Sequence, residues 1–156
     1  MKIVVISDSH GNIANLKHVL GFTRKIKAGA VIHCGDWDNL AAVETVLACK
    51  IPLYAVLGNA DIDERIENSL RMQSKKFNKK FLEVEIDGRK IGVVHSIKYL
   101  VSGIKYLSIL FAGHRHYKGG KTINGVKIIN PGALHSIKPS FAVYETDTNE
   151  VEFINL

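Results

Sequence analysis

Five apolar runs in this sequence each stop at side chains of types that can ligate metal ions. Ile3–Ile6 leads into Ser7-Asp8-Ser9-His10, and Ala30–Cys34 into Gly35-Asp36-Trp37-Asp38. Leu53–Leu57 leads into Gly58-Asn59-Ala60-Asp61, Ile91–Val94 into His95-Ser96, and Ile109–Ala112 into Gly113-His114-Arg115-His116. A sixth run, Val126–Ile129, ends at Asn130-Pro131-Gly132. Alone, an Asp-x-His or a Gly-Asn-x-Asp is an ordinary turn. Together they gather two carboxylates, an amide and four imidazoles in one order, each after an apolar run. A mixed oxygen and nitrogen set suits Mn, Fe, Zn or Ni, whereas Mg or Ca favour oxygen alone. Seven ligands exceed what one ion takes, so two ions sharing a bridging carboxylate fit the number better.

Such ligands must be held by strands whose carboxyl ends converge on one rim. The first half supplies them as strand–helix alternation. Ile3–Ile6, Ala30–Cys34 and Leu53–Leu57 read as strands. A helix is expected from Asn12, with Ile13, Leu16 and Leu20 on one face, and another around Leu40, Val43 and Leu47. This order implies a mostly parallel sheet. In the second half, Asp87-Gly88 and Asn124-Gly125 mark tight hairpins between apolar runs. Phe141–Glu145 with Val151–Ile154 form a last pair, and Ile97–Leu107 reads as a short helix. Residues 1–156 are expected to form a single domain of two packed sheets with helices outside. Extended alternation would put Asp8 and His10 on one side, and likewise His114 and His116. Gly35, Gly58 and Gly113 would let the chain turn sharply off its strands.

Composition narrows the setting. The 156 residues carry 46% hydrophobic and 23% charged side chains, enough for a core and too few charges for disorder. No run approaches roughly 18 apolar residues, so no membrane span is expected. With an acid as early as Asp8, no signal peptide is expected, and Cys34 and Cys49 read as reduced, packed thiols. A cytoplasmic location is expected. The net charge of +6 is local: residues 1–63 balance, whereas residues 65–138 hold 15 basic side chains against Glu67, Glu83, Glu85 and Asp87. The dense stretch Lys75–Lys80 reads as a solvated loop, since few aromatic side chains interleave it. The basic excess is therefore read as help for an anionic substrate, with nucleic acid not expected as partner.

In its ordered Asp-x-His, Gly-Asp, Gly-Asn-x-Asp, lone His and Gly-His-x-His motifs, the sequence resembles the calcineurin-like metallophosphoesterases. The likeness is to the small single-domain phosphodiesterases of bacteria and archaea, and runs from Asp8 to Gly132. It implies an α/β fold, a four-layer α-β-β-α sandwich with two mixed β-sheets flanked by helices. It also implies two divalent transition-metal ions, manganese first, with Ni, Fe, Zn or Co as alternatives. By carry-over, Asp8, His10, Asp36 and His116 would hold one ion, and Asp36, Asn59, His95 and His114 the other, with Asp36 bridging. The implied reaction is hydrolysis of a small phosphoester, most simply a phosphodiester, by a hydroxide bridging the ions. Asn59 would also donate to the phosphate, so Asp36 and Asn59 carry the expected catalytic roles.

The sequence departs from the family at four places. Ala60 stands where the family often has His or Cys, so leaving-group protonation falls to water, His135 or Asp61. Ser96 replaces a usual Gly, Arg115 a usual Thr, and Ala133 a common Ser. Arg115 is expected at the surface, His18 solvated, His33 and Cys34 packed, and Asp38 and Asp63 in loops or caps. Trp37 either walls the site or packs in the core. Two alternatives stand beside the phosphodiesterase: a non-catalytic metal-binding interaction scaffold on the same fold, and a nuclease.

Overall fold

The computed structural model describes residues 1–99 and 103–156. The chain forms β1 (Lys2–Ile6), α1 (Ile13–Lys25), β2 (Ala30–His33), α2 (Leu40–Leu47), β3 (Leu53–Val56), α3 (Glu64–Gln73) and β4 (Lys76–Asn78). It continues through β5 (Phe81–Ile86), β6 (Arg89–Val94), β7 (Ile109–Ala112), β8 (Lys118–Ile123), β9 (Val126–Pro131), β10 (Ser140–Glu145) and β11 (Glu150–Asn155). One sheet has the order β11-β10-β1-β2-β3-β4 and the other β5-β6-β7-β9-β8. Both are mixed: β1, β2, β3 and β4 run parallel, as do β6, β7 and β9, while the hairpin partners run antiparallel. The expected α/β sandwich of two mixed sheets is what the chain builds.

Strand alternation sorts the core into layers. Along β1, Ile3 and Val5 face the second sheet and meet Val84, Ile91, Val93 and Phe111 in one cluster. Val4 and Ile6 face the opposite way, into a cluster with Leu16 and Val19 of α1, Val43 and Val46 of α2, and Ile66 and Leu70 of α3. A third cluster, with Leu107, Leu110, Val126 and Ile128, covers the outer face of the second sheet. Ile97 and Ile104, from two 3-10 turns at Ile97–Tyr99 and Ile104–Tyr106, pack on it. The short helix expected over Ile97–Leu107 thus appears as these turns, and its middle, residues 100–102, lies outside the described residues. In α2 the buried face is Ala42, Val43 and Val46, with Leu40 and Leu47 only partly covered.

Local chemistry sets the element ends. Asn12, Asn39 and Asp63 cap the three helices, accepting the N–H of Asn15, Ala42 and Arg65 at 3.0, 3.0 and 2.9 Å, each cap contributing about 1 kcal/mol. Asp87-Gly88 (φ 53° and 74°) and Asn124-Gly125 (φ 52° and 83°) turn the two hairpins in the left-handed region, as two-residue turns of this kind require. The basic stretch is not the loop expected of it. Lys76–Asn78 adds to the edge of the first sheet, registered on Tyr54–Val56. Phe77 packs against the helical core while its flanking lysines stay exposed, a charged edge that discourages further strand pairing. No described helix is long and apolar enough to cross a membrane.

Candidate metal centre

The parallel strands of both sheets deliver their carboxyl ends to one rim, and the loops there interlock. Asp8 N–H donates to the Gly35 carbonyl at 3.0 Å, His10 N–H to Asp36 at 3.1 Å, and Gly11 N–H to Trp37 at 2.9 Å. The loop after β7 joins them, with His114 N–H donating to both Asp8 carboxylate oxygens at 3.2 and 3.1 Å. Asn130 ties the same loop from β9 by donating to the Gly113 carbonyl at 2.8 Å.

This bracing holds an unusual backbone. Asp8, His10, Asp36, His114 and His116 have φ of 50°, 39°, 60°, 71° and 57°. The left-handed region is uncommon for any residue but Gly, even though Asn, Asp and His visit it more than most, and it persists where surroundings over-determine it. The extended alternation expected for Asp8-Ser9-His10 and His114-Arg115-His116 is therefore incorrect. Their side chains converge because the backbone turns left-handed at Asp8, His10, His114 and His116, not because alternate residues share a strand face.

The ligand-type atoms converge in two overlapping groups. One atom each from Asp8, His10, Asp36 and His116 lies within 4.8 Å of all the others. His116 Nε2 is 3.1 Å from Asp8 Oδ1, and His10 Nε2 is 3.5 Å from Asp36 Oδ2. That same Asp36 oxygen is 3.4 Å from His95 Nε2. Asn59 Oδ1 in turn lies 3.0 Å from His95 Nε2 and 3.0 Å from His114 Nδ1. All seven residues expected from the sequence are thus at one site, with Asp36 between the two groups.

Two features of this geometry fit cations. His95 Nδ1–H donates to the Cys34 carbonyl at 2.9 Å. In the neutral imidazole this leaves Nε2 as a lone pair facing Asp36 Oδ2 and Asn59 Oδ1, three acceptors with no proton among them. His10 Nε2 is buried without a hydrogen-bond partner, rare for a buried polar atom unless an ion or water completes it. Asp8 is fully buried, and burial pushes its carboxyl above the ordinary carboxylate range.

Around these ligands the supporting residues separate into clear roles. His33 is fully buried, accepts the Gly35 N–H at Nδ1 (3.1 Å), and bonds the Ser9 hydroxyl through Nε2 (3.1 Å). Burial pushes its pKa well down, so it is a neutral bracket between the first two loops. Trp37 stacks on it at 3.5 Å between ring centroids and donates to the Val56 carbonyl. Its role is packing. His18 is exposed, and Cys34 and Cys49 are buried free thiols. Ser96 is buried and accepts the Lys98 N–H at 3.4 Å. Arg115 is exposed and donates to the Tyr117 hydroxyl at 2.9 Å. His135 is exposed at the rim, its ring centroid 5.3 Å from that of His10.

Asp61 serves the loops rather than a leaving group. Its carboxylate accepts four backbone N–H groups: Gly58 (2.7 Å), Asp36 (3.0 Å), Trp37 (2.7 Å) and Asp38 (2.9 Å). Burial pushes its pKa up, while these bonds pull the other way. The Asp61→Ala variant strands four donors beside the centre and is expected to lose about 3 kcal/mol of stability. The loss reads out as a fall in Tm of roughly 6–12 °C by calorimetry. A one-residue Gly-Asn-x-Asp spacing carries the signal for this brace, but only its placement against the Asp36 loop reveals what it holds. The orienting Cys34 carbonyl leaves no signal in the sequence, because any residue type supplies it.

The calcineurin-like phosphoesterase superfamily domain matches residues 1–149. A phosphodiesterase of Methanocaldococcus jannaschii is 27% identical over 169 residues, covering 100% of this chain and 99% of that protein. The solved structure of an archaeal phosphodiesterase superposes with a TM-score of 0.88 at 25% identity across 100% of both chains. Yfce, a phosphoesterase from E. coli, shares the fold at a TM-score of 0.75 and 17% identity, over 99% of this chain and 98% of that one.

Proposed function

The chain belongs to the calcineurin-like phosphoesterase superfamily, and on that premise we propose that it is a dinuclear metal-dependent phosphodiesterase acting on small phosphoesters. The observation that carries this reading is the Asp36 Oδ2 atom, which faces His10 Nε2 at 3.5 Å and His95 Nε2 at 3.4 Å. One carboxylate shared by two groups of ligands is the arrangement that two neighbouring cations require. In this reading Asp8, His10, Asp36 and His116 hold the first ion, and Asp36, Asn59, His95 and His114 the second. The family resemblance makes manganese the first choice, and Ni, Fe, Zn and Co are alternatives that a mixed oxygen and nitrogen set also suits.

Divalent cations at this place supply a low-pKa water and neutralise charge on the non-bridging phosphate oxygens. The chain's own residues do the rest. Asn59 is exposed and turns its Oδ1 toward two imidazoles, which presents its amide N–H to a phosphate oxygen. The Cys34 carbonyl fixes the His95 ring, so its Nε2 stays aimed at the centre. Ala60 has no proton to give, so the leaving oxygen draws its proton from water, and good leaving groups are favoured. The basic excess of residues 65–138 draws anionic esters toward the rim.

Purified protein loaded in turn with Mn, Ni, Co, Zn and Mg is tested on bis-p-nitrophenyl phosphate, p-nitrophenyl phosphate and cyclic nucleotides. The expected result is fastest turnover of the activated diester with manganese, abolished by chelation and restored by adding the ion back. Metal should also raise Tm without substrate, since an ion at about 100 times its Kd stabilises the fold by about 2.7 kcal/mol. Absence of turnover on every ester with every metal would overturn the reading.

A further inference from the structure

A cavity of about 320 Å³ opens beside His114 on the outer face of the second sheet. Its floor is apolar, formed by Ile97, Ala112 and Ile128. Its rim carries Lys98, Arg115 and Lys121, all exposed, and no carboxylate is among its described lining residues. Three cations at the mouth of one pocket repel one another, and an anion seated there relieves the repulsion. Arg115 is already oriented, its guanidinium donating to the Tyr117 hydroxyl at 2.9 Å, and a planar fork of this kind suits a phosphate. Tyr117 lines the cavity and is 60% exposed. Gly119 forms another part of the wall, and a Cβ there would meet nothing within 4 Å.

The two halves of this pocket ask for different things of one ligand. A bare phosphate would leave the apolar floor uncovered, and a neutral ring would leave the cations unpaired. The volume is at the small end of small-molecule sites, room for one ring system and its sugar but not for a polymer. An exposed phenol beside a wall without side chains offers a flat surface to a base. Because His114 belongs to both this pocket and the metal centre, a group seated here is joined directly to a phosphorus held at the centre.

We propose that this pocket binds the leaving group of a short phosphodiester, and that this group is a nucleoside carrying a second phosphate, as in a 5′-phosphorylated dinucleotide. The proposal rests on the phosphodiesterase reading above. Water adds across the scissile bond: its oxygen joins phosphorus, its proton goes to the departing ribose oxygen, and two nucleoside monophosphates result.

Binding tests the pocket without turnover. Metal-free protein is titrated by calorimetry with adenosine 5′-monophosphate and with adenosine. The nucleotide is expected to bind at least about tenfold tighter, and Arg115→Ala and Lys121→Ala each to erode that preference. Gly119→Leu, which enters open space, should weaken both ligands. Manganese-loaded protein should likewise prefer the diadenylate pApA over ApA by about tenfold in kcat/KM. Equal binding of nucleotide and nucleoside, a preference that survives both charge removals, or binding indifferent to Gly119→Leu would overturn the proposal. If bis-p-nitrophenyl phosphate is hydrolysed while pApA and ApA are not distinguished, the pocket assignment fails alone. If that activated diester is not hydrolysed either, the phosphodiesterase reading fails, and the calorimetry still decides the pocket.

Discussion

The Asp36→Asn variant is expected to lower diester turnover on the order of 10³-fold, about 4 kcal/mol of barrier, while the protein stays folded. Asp36 Oδ1 accepts the Ala60 N–H at 2.9 Å, and Oδ2 faces the imidazoles of His10 and His95. An amide can keep the first contact through its own oxygen, so the loop after β3 remains seated. The second position then carries an NH2 group, which is a donor, has no anionic charge and ligates cations poorly. Both groups of ligands lose their shared member at once. The activity loss should therefore come with a loss of metal stoichiometry, measured by elemental analysis, and with a Tm that no longer rises on adding manganese. Full activity with two ions bound would mean that Asp36 does not bridge.

The strands that carry the ligands were legible because they are buried on both faces and read as continuous apolar runs. Ile3–Ile6 and Ile109–Ala112 are examples, with every residue buried. The hairpin turns were legible because Asp-Gly and Asn-Gly encode left-handed backbone locally. Helix α3 was not legible. Only Ile66 and Leu70 of its ten residues are buried, and two apolar positions one turn apart do not stand out in a polar stretch. Strand β4 was hidden for a different reason: Lys-Phe-Asn has little preference of its own, and the open edge of β3 supplies its pairing. Pairing of that kind depends on residues some twenty positions away.

The same division runs through the site. Capacity to ligate is a property of side-chain type, so Asp8, His10, Asp36, Asn59, His95, His114 and His116 could be proposed from the sequence, and the fold brings them to one site. Ligand direction is a property of the backbone, and there extended alternation misled. Positive φ at His10 and His114 is uncommon even for His, and hydrogen bonds from other loops hold it there. His10 N–H is fixed by the Asp36 carbonyl, and His114 N–H by the Asp8 carboxylate. The site is thus assembled from contacts between residues 26 and 106 positions apart, and a sequence window sees neither end of such a contact from the other. It follows that the centre depends on how closely the loops approach, and that approach is set by residues with no side chain at all.

Gly58→Ala should show this dependence most sharply. A Cβ at residue 58 would lie 2.0 Å from Asp36 Oδ1 and 2.4 Å from Asp36 N. The first atom belongs to the shared ligand and the second to backbone, which cannot rotate away. The backbone at Asp36 is also held by Asp61, which accepts its N–H at 3.0 Å and that of Gly58 at 2.7 Å. Adding one methyl group must push these loops apart and carry Asp36 with them. A stability loss of about 3 kcal/mol is expected from overpacking of this severity, seen as a Tm fall of roughly 6–12 °C. Turnover should fall further than stability explains, because a displaced Asp36 cannot face both groups of ligands, and misplacement of about 1 Å alone costs on the order of 10²-fold. Gly119→Ala, where a Cβ meets nothing within 4 Å, is the matching control and should leave Tm within about 1 °C of the parent. If Gly58→Ala matches it in both Tm and metal affinity, the two loops are not in the close contact on which the centre is built.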